Sequence, residues 1–227
     1  MTDAPHPPLR SFGRLKSRPI KPRQAALMDT LLPRLALDPA AGPIDPKALR
    51  PEAQEAWLEI GFGGGEHMAG QAARRPDVLM LGAEPFLNGA ASALRHIDEQ
   101  ALPNVRLQVG DARELLAALP DASIDRIFIL FPDPWPKARH HKRRLVQADA
   151  AAEFARVLKP GGRLRFATDW ADYADWALQR LIAEPRLSWT AERADDWRTA
   201  PEDHIPTRYQ AKRLGDIEPV FFDFVRA

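Results

Sequence analysis

The chain has 227 residues, 45% of them hydrophobic and 28% charged, which is enough to bury a sizeable core and excludes a wholly disordered protein. Thirty-two Lys and Arg against thirty-one Asp and Glu leave a net charge of +1, a total that argues against a bulk nucleic-acid binder. The lack of cysteine excludes disulfides, thiolate metal sites and a cysteine nucleophile, and the longest apolar run, Ile127 to Phe131, is far below the roughly 18 residues of a membrane span.

Residues 1–24 combine Pro5, Pro7, Pro8, Pro19 and Pro22 with Arg10, Arg14, Lys16, Arg18, Lys21 and Arg23, a composition expected to form a mobile basic arm. No apolar leader is visible there, so a cytoplasmic, non-membrane protein is expected. Leu27, Leu31, Leu32 and Leu35 stand at helical spacing and predict a helix over 24–35, with a Pro-rich connector over 36–51.

From Ala56 short apolar runs alternate with helical segments, the pattern of βα units feeding a parallel sheet. The predicted strands are 57–60, 78–83, 105–109, 124–131 and 163–168. The predicted helices are 66–75, 87–100, 112–119, 148–158 and 173–182. Lys159-Pro160-Gly161-Gly162 is a stop-and-turn signal between the last helix and strand of that set. Two more strands are expected at 187–190 and 220–225, separated by a polar segment of about 29 residues, too long for a structureless connection in a compact domain. The expected fold is α/β, a doubly wound, mostly parallel seven-stranded sheet over 25–227, with ligands beyond the carboxyl ends of the strands.

The first strand ends in Glu59-Ile60-Gly61-Phe62-Gly63-Gly64-Gly65 and enters a helix at once. Glycines in such a turn let the backbone approach a ligand closely. The spacing is G-x-G-x-G, and Glu66 stands where a dinucleotide fingerprint needs a small residue. A carboxylate in the first helical turn would repel a pyrophosphate. S-adenosylmethionine, with a sulfonium, an ammonium and no phosphate, suits Gly61, Gly63 and the neighbouring Glu59 better. Glu84, ending the second strand, can accept both ribose hydroxyls. Asp111, after the third, either reads the adenine edge or caps the next helix.

The fourth strand empties into Pro132-Asp133-Pro134-Trp135-Pro136-Lys137, whose prolines stiffen a loop that offers an aromatic face and a carboxylate to a nucleobase. Next come Arg139, His140, His141, Lys142, Arg143 and Arg144. This run is expected to be a phosphate-contacting track, since it follows the base pocket directly. The two histidines lack the cysteines or carboxylate spacing of a metal site, so no metal is expected. Asp169 ends the fifth strand, where a substrate contact and a helix cap are equally open. Thr207-Arg208-Tyr209-Gln210 could fold over the pocket from the long polar segment.

Together these motifs make the chain resemble the bacterial tRNA (guanine-N7)-methyltransferases, which are class I S-adenosylmethionine-dependent enzymes. The Pro132–Trp135 loop joined to the basic run carries most of that resemblance; the glycine loop is less specific. The resemblance implies that Glu59, Glu84, Asp111 and Asp133 contact the cofactor, with Asp133 catalytic. It further implies that Lys137, Asp169 and Thr207 to Gln210 contact the substrate, that 139–144 touch RNA, and that the methyl acceptor is position 46 of the tRNA variable loop. The family usually has Glu at the position of Gln210, whose amide keeps an acceptor oxygen but not the charge. Monomer and homodimer are both open.

Two rival readings remain. A small-molecule methyltransferase would share the sheet and glycine loop but has no use for the basic run, and an inactive RNA-binding module would not bind S-adenosylmethionine. The charge balance supports an RNA partner once it is divided along the chain. Residues 1–24 hold six Lys/Arg and one acid and residues 137–144 hold five and none, so the other 195 carry 21 against 30. Two concentrated basic segments lie on an acidic body.

Overall fold

The structure is a computed structural model and describes residues 19–227. Most of the expected basic arm therefore lies outside the described residues. Its last part, from Pro22, already belongs to α1 (Pro22–Thr30). The single helix predicted over 24–35 is two, α1 and α2 (Leu32–Leu35), broken at Leu31. Pro33 causes the break, because it offers no N–H to the carbonyl four residues earlier and its ring crowds that carbonyl. The predicted connector holds a 3-10 turn at Pro39–Ala41 and α3 (Pro46–Leu49). Both follow an Asp-Pro pair, in which Asp38 and Asp45 accept the Ala40 and Lys47 N–H groups as caps.

Thereafter β1 (Glu55–Ile60), α4 (Glu66–Arg74), β2 (Val78–Ala83), α5 (Leu87–Glu99), β3 (Val105–Gln108), α6 (Ala112–Ala118) and β4 (Ile124–Leu130) alternate as expected. They lead into α7 (Ala148–Val157), β5 (Leu158–Thr168), α8 (Ala171–Ala183), β6 (Leu187–Trp189), α9 (Asp195–Arg198) and β7 (Val220–Arg226). β5 starts five residues before the predicted strand. From Leu158 to Arg163 it advances five positions while its partner β4 advances two, Ile124 to Arg126, so Lys159–Gly162 is a bulge within the strand. Gly161, at φ +76°, makes that bulge possible.

The seven strands lie in the order β3-β2-β1-β4-β5-β7-β6, with β7 antiparallel to both neighbours and the rest parallel. α4 and α5 cover one face of the sheet through Met68, Ala69, Ala93 and Leu94, with Leu27 and Leu31 of the N-terminal helices packed beside them. α6, α7 and α8 cover the other face through Leu115, Phe154, Tyr173 and Leu181. Every residue of β2 is buried, as a central parallel strand requires. The strand order reverses between β1 and β4, which opens a crevice at their carboxyl ends. Among the described residues no helix is long and apolar enough to cross a membrane.

Candidate active site

Strand register sets the frame of the site. Ile60 stands opposite both Ala83 and Ile129, Ala83 opposite Gln108, and Leu130 opposite Ala167. The residues that follow these positions, Gly61, Glu84, Phe131 and Thr168, therefore emerge along one edge. The ladder continues past the strands, with Gly61 N–H donating to the Ala83 carbonyl and Phe131 N–H to that of Ala167, each at 2.8 Å.

Gly61, Gly63 and Gly65 all take positive φ (+74°, +54° and +81°), and at Gly61 and Gly63 an added Cβ would meet nothing within 4 Å. The loop thus has an open side that its own backbone lines. Gly65 is different, since a Cβ there would stand 2.5 Å from that of Ala93, so this glycine lets α4 approach α5. Glu84 is buried and ties the loop in place: Oε2 accepts from Gly63 N–H at 2.8 Å and Oε1 from Phe86 N–H at 2.9 Å. Burial raises its pKa, the two N–H bonds oppose the rise, and the charges of Asp133 and Glu59 add to it. The charges of Glu59 and Asp133 thus act on Glu84. The negative field that these carboxylates set up beside the loop fits a cationic, phosphate-free cofactor such as S-adenosylmethionine.

Glu59 is less open than expected. It is 2% exposed, and its Oε2 lies 2.6 Å from Nδ1 of the buried His67 on α4. Asp111 does cap α6: Oδ1 accepts from Arg113 N–H at 3.0 Å, and both carboxylate oxygens are bonded by the Arg113 guanidinium. Burial pushes the Asp111 pKa up, but these bonds outweigh it and hold the group below its ordinary value.

The loop after β4 is strained. Phe131 and Trp135 take φ of +52° and +45°, outside the range comfortable for bulky L-residues, and they bracket Pro132-Asp133-Pro134. Asp133 stays solvent-exposed, yet the surrounding protein displaces part of its hydration and raises its pKa. Tyr209, packed against the sheet face that α4 and α5 cover, has its phenol pKa raised by burial and then by the charges of Asp133 and Asp169. The Pro-Trp loop, the end of β5 and the Thr207–Gln210 motif therefore converge on one place.

Asp169 is buried and does not cap α8. Its Oδ2 accepts from Gly215 N–H at 3.0 Å, while Asp216 caps the helix by accepting from Ala171 N–H at 2.8 Å. Thr207 Oγ1 accepts from Gln210 N–H at 3.2 Å, which shapes the turn, and the Gln210 side chain meets His204 Nε2 at 2.7 Å. Arg208 is 70% exposed and lies 3.6 Å from Glu66.

The basic run is not a uniform track. It forms 3-10 turns over Ala138–Arg143, leaving Lys137, Arg139 and Lys142 exposed. Arg144 has to be removed from the expected RNA contacts, because it is 2% exposed. Its Nε donates to the Pro134 carbonyl at 2.9 Å and Nη2 to the Asp172 carboxylate, while the guanidinium lies 5.0 Å from the centres of both the Tyr173 and Trp176 rings. His141 also faces inward, 3.3 Å from Asp172 and edge-on to Trp176. His140 and Arg143 lie against Trp135.

Sequence reasoning missed Asp203, which fastens the long polar segment to the sheet. Its carboxylate pairs with Arg126 at 2.6 Å and Arg165 at 2.5 Å. Burial pushes this carboxyl up, but the Arg165 hydrogen bond and the two guanidinium charges outweigh it and hold the pKa at about 2. An arginine in the middle of a buried strand, as in Leu164-Arg165-Phe166, is the signal that an acid must come from elsewhere.

A family model described as a putative methyltransferase matches residues 53–221. The tRNA (guanine-N(7)-)-methyltransferase of Caulobacter sp. (strain K31) is 66% identical, covering 98% of this chain and 97% of the relative. The protein of that name from Hyphomonas neptunium is 54% identical over 95% of this chain and 99% of its own. Among solved structures, the 16S rRNA (adenine(1408)-N(1))-methyltransferase from Catenulisporales acidiphilia has a TM-score of 0.54 at 19% identity, covering 84% of this chain and 94% of that one. A tryptophan-to-alanine variant of it, solved with the cosubstrate S-adenosylmethionine, has a TM-score of 0.55 at 19% identity over 84% and 92%. The structural likeness supports the fold, and the sequence likeness goes further: this chain belongs to the tRNA (guanine-N(7)-)-methyltransferase family.

Proposed function

We propose that this protein methylates N7 of guanine in tRNA, at position 46 of the variable loop, in the cytoplasm. The observation that carries this reading is the shared strand edge: Gly61, Glu84, Phe131 and Thr168 emerge along it, Glu84 bonds the open glycine loop at Gly63, and Asp169 bonds Gly215 of the segment that carries Tyr209. Glu84 and the backbone of Gly61 and Gly63 would hold the cofactor, with Glu59 and Asp111 beside them. When bound, S-adenosylmethionine supplies an electrophilic methyl group. Guanine N7 has an exposed lone pair and no proton, so no residue of the chain has to act as a base. Positioning and electrostatics therefore make up the protein's contribution.

Asp133, held by the strained loop, opposes the positive charge that develops on the purine. Trp135 stacks near it, and Lys137, Asp169 and Thr207–Gln210 hold the nucleotide. Exposing the base from folded tRNA costs a few kcal/mol, offset by stacking and phosphate contacts. The test is transfer of a labelled methyl group to two transcripts, one with guanine at position 46 and one with adenine. Label only in the first, mapped to N7, is expected. Equal labelling of both overturns the position, and no labelling of either overturns the tRNA reading.

A further inference from the structure

One helix serves both halves of the site. α4 begins at the glycine loop, and its Gly70, Gln71 and Arg74 receive residues 203–205 of the segment that carries Thr207–Gln210. Three contacts make this seat. Gln71 Nε2 donates to the Asp203 carbonyl at 2.7 Å, and Arg74 Nη1 donates to the same oxygen at 3.2 Å. Gly70 leaves a gap filled by Ile205, whose Cδ1 stands 2.5 Å from where a Cβ on Gly70 would be. A glycine inside a helix costs about 1 kcal/mol relative to alanine, and here it makes room for the docked segment.

Behind this seat runs a continuous chain of hydrogen bonds. Glu59 Oε2 is 2.6 Å from His67 Nδ1, and His67 Nε2 is 3.2 Å from Gln71 Nε2. All three side chains are buried. The donor inventory fixes the direction of the chain. The Gln71 amide has two N–H bonds, one for the Asp203 carbonyl and one for His67 Nε2, so that ring nitrogen accepts and Nδ1–H donates to Glu59. Turning the amide over would leave the Asp203 carbonyl without its Gln71 donor. One residue on, His204 meets Gln210, the position at which this chain departs from the Glu usual in the family.

We propose that His67 and Gln71 are positioning residues that couple cofactor binding to tRNA binding, through docking of the 203–210 segment on α4. This rests on the function proposed above. The element with two states is that segment, docked or released. A cofactor seated beside Glu59 fixes the carboxylate, the His67 ring and hence the Gln71 amide in the orientation that receives Asp203. A tRNA held by Thr207–Gln210 favours the docked state and orders the same chain from its other end. Each ligand then tightens the other by the same factor.

The experiment uses the full chain, the unreactive product S-adenosylhomocysteine and a tRNA transcript. Calorimetry measures each affinity with and without the other ligand. In the wild type the two factors should agree and exceed about fivefold, within the range usual for coupled sites. Gln71→Met should bring both factors to within about twofold of unity while S-adenosylhomocysteine alone binds as in the wild type, which a general loss of structure would not do. If Gln71→Met does not fold, His67→Asn keeps an N–H for Glu59, cannot reach Gln71, and should also uncouple the ligands. An undiminished factor in a folded variant, or a factor of one in the wild type, overturns the coupling alone. A wild type that binds neither ligand overturns the function proposed above and the coupling with it.

Discussion

The two halves of the sheet hold their functional residues by different means. On the β1–β3 side, Glu59, Glu84 and Asp111 stand within three residues of a strand end, so register places them; backbone N–H groups then fix Glu84 and Asp111, and the neighbouring His67 fixes Glu59. On the β4–β7 side, Asp133 sits in a strained loop and Thr207–Gln210 lie on a segment reached only after a long excursion. Buried guanidiniums hold both: Arg144 grips the Pro134 carbonyl, and Arg165 grips Asp203 and Asp223. The cofactor side uses only local side chains, Arg113 on Asp111 and His67 on Glu59, because parallel strands already supply its precision. The substrate side must place one group on a strained loop and the Thr207–Gln210 motif far from any strand end, and it relies on long-range side chains to do so.

Substitution of Asp133 bears on that contrast most strongly. Asp133→Ala should lower kcat on the order of 10²–10³-fold, the loss typical of a removed charge-stabilising group, with tRNA binding in a filter assay near wild type. Asp133→Asn should lose nearly as much, since the amide keeps the shape and drops the charge; wild-type turnover in the Asn variant would make the residue positional. The raised pKa of Asp133 sets the sign of the pH effect. Protonation removes the useful charge, so kcat should fall as pH is lowered through that raised value, and Asp133→Asn should lack this limb. Glu84, also raised, should register instead in the KM for the cofactor.

Next in size is Arg144. Arg144→Ala leaves the Pro134 carbonyl and Asp172 without their donor and opens space between two aromatic rings. A loss of about 2–3 kcal/mol is expected, seen as a lower Tm, together with reduced kcat. Arg144→Lys should recover little of either, because an ammonium cannot bond both partners in the plane of the two rings. If Arg144→Lys restores kcat while stability stays low, the loop holds its own shape and the clamp is not needed for activity.

The same contrast explains what was legible in the sequence. The βα alternation, the sheet with its terminal strand pair and the acids after successive strands could all be read from periodicity and strand ends. The break at Pro33 and the caps at Asp38 and Asp45 were also written locally, as Pro and Asp-Pro signals, though the period of the leucines and the proline content hid them. The inward turn of Arg144 was not legible, because five cations in eight residues look alike until Asp172, Tyr173 and Trp176 come back from α8. Asp203 and its contact with Gln71 act only across the fold, and although His67 bonds the nearby Glu59 and Gln71, nothing in the local sequence marks that pair as the seat for a segment 132 residues on.

The smallest expected effect tests how the basic run divides. A track using all five cations of 137–144 would lower log affinity for tRNA by about 3.5–4.5 per decade of salt. With Arg144 buried and Arg143 seated over Trp135, the outward set is Lys137, Arg139 and Lys142, whose phosphate contacts are worth about 0.7–0.9 each in that slope. Replacing these three with alanine should therefore reduce the slope by about 2–3 relative to wild type. Taking the difference between two full-length proteins cancels the contribution of the basic arm, which both retain. Lys142→Ala should remove one unit or slightly less and weaken all tRNAs alike, whereas Arg143→Ala should leave the slope unchanged and show its effect on the Trp135 side as a higher KM. Equal slope changes for Lys142→Ala and Arg143→Ala would mean that the stacked arginine leaves Trp135 to meet the phosphate backbone, and that the run is a single track after all.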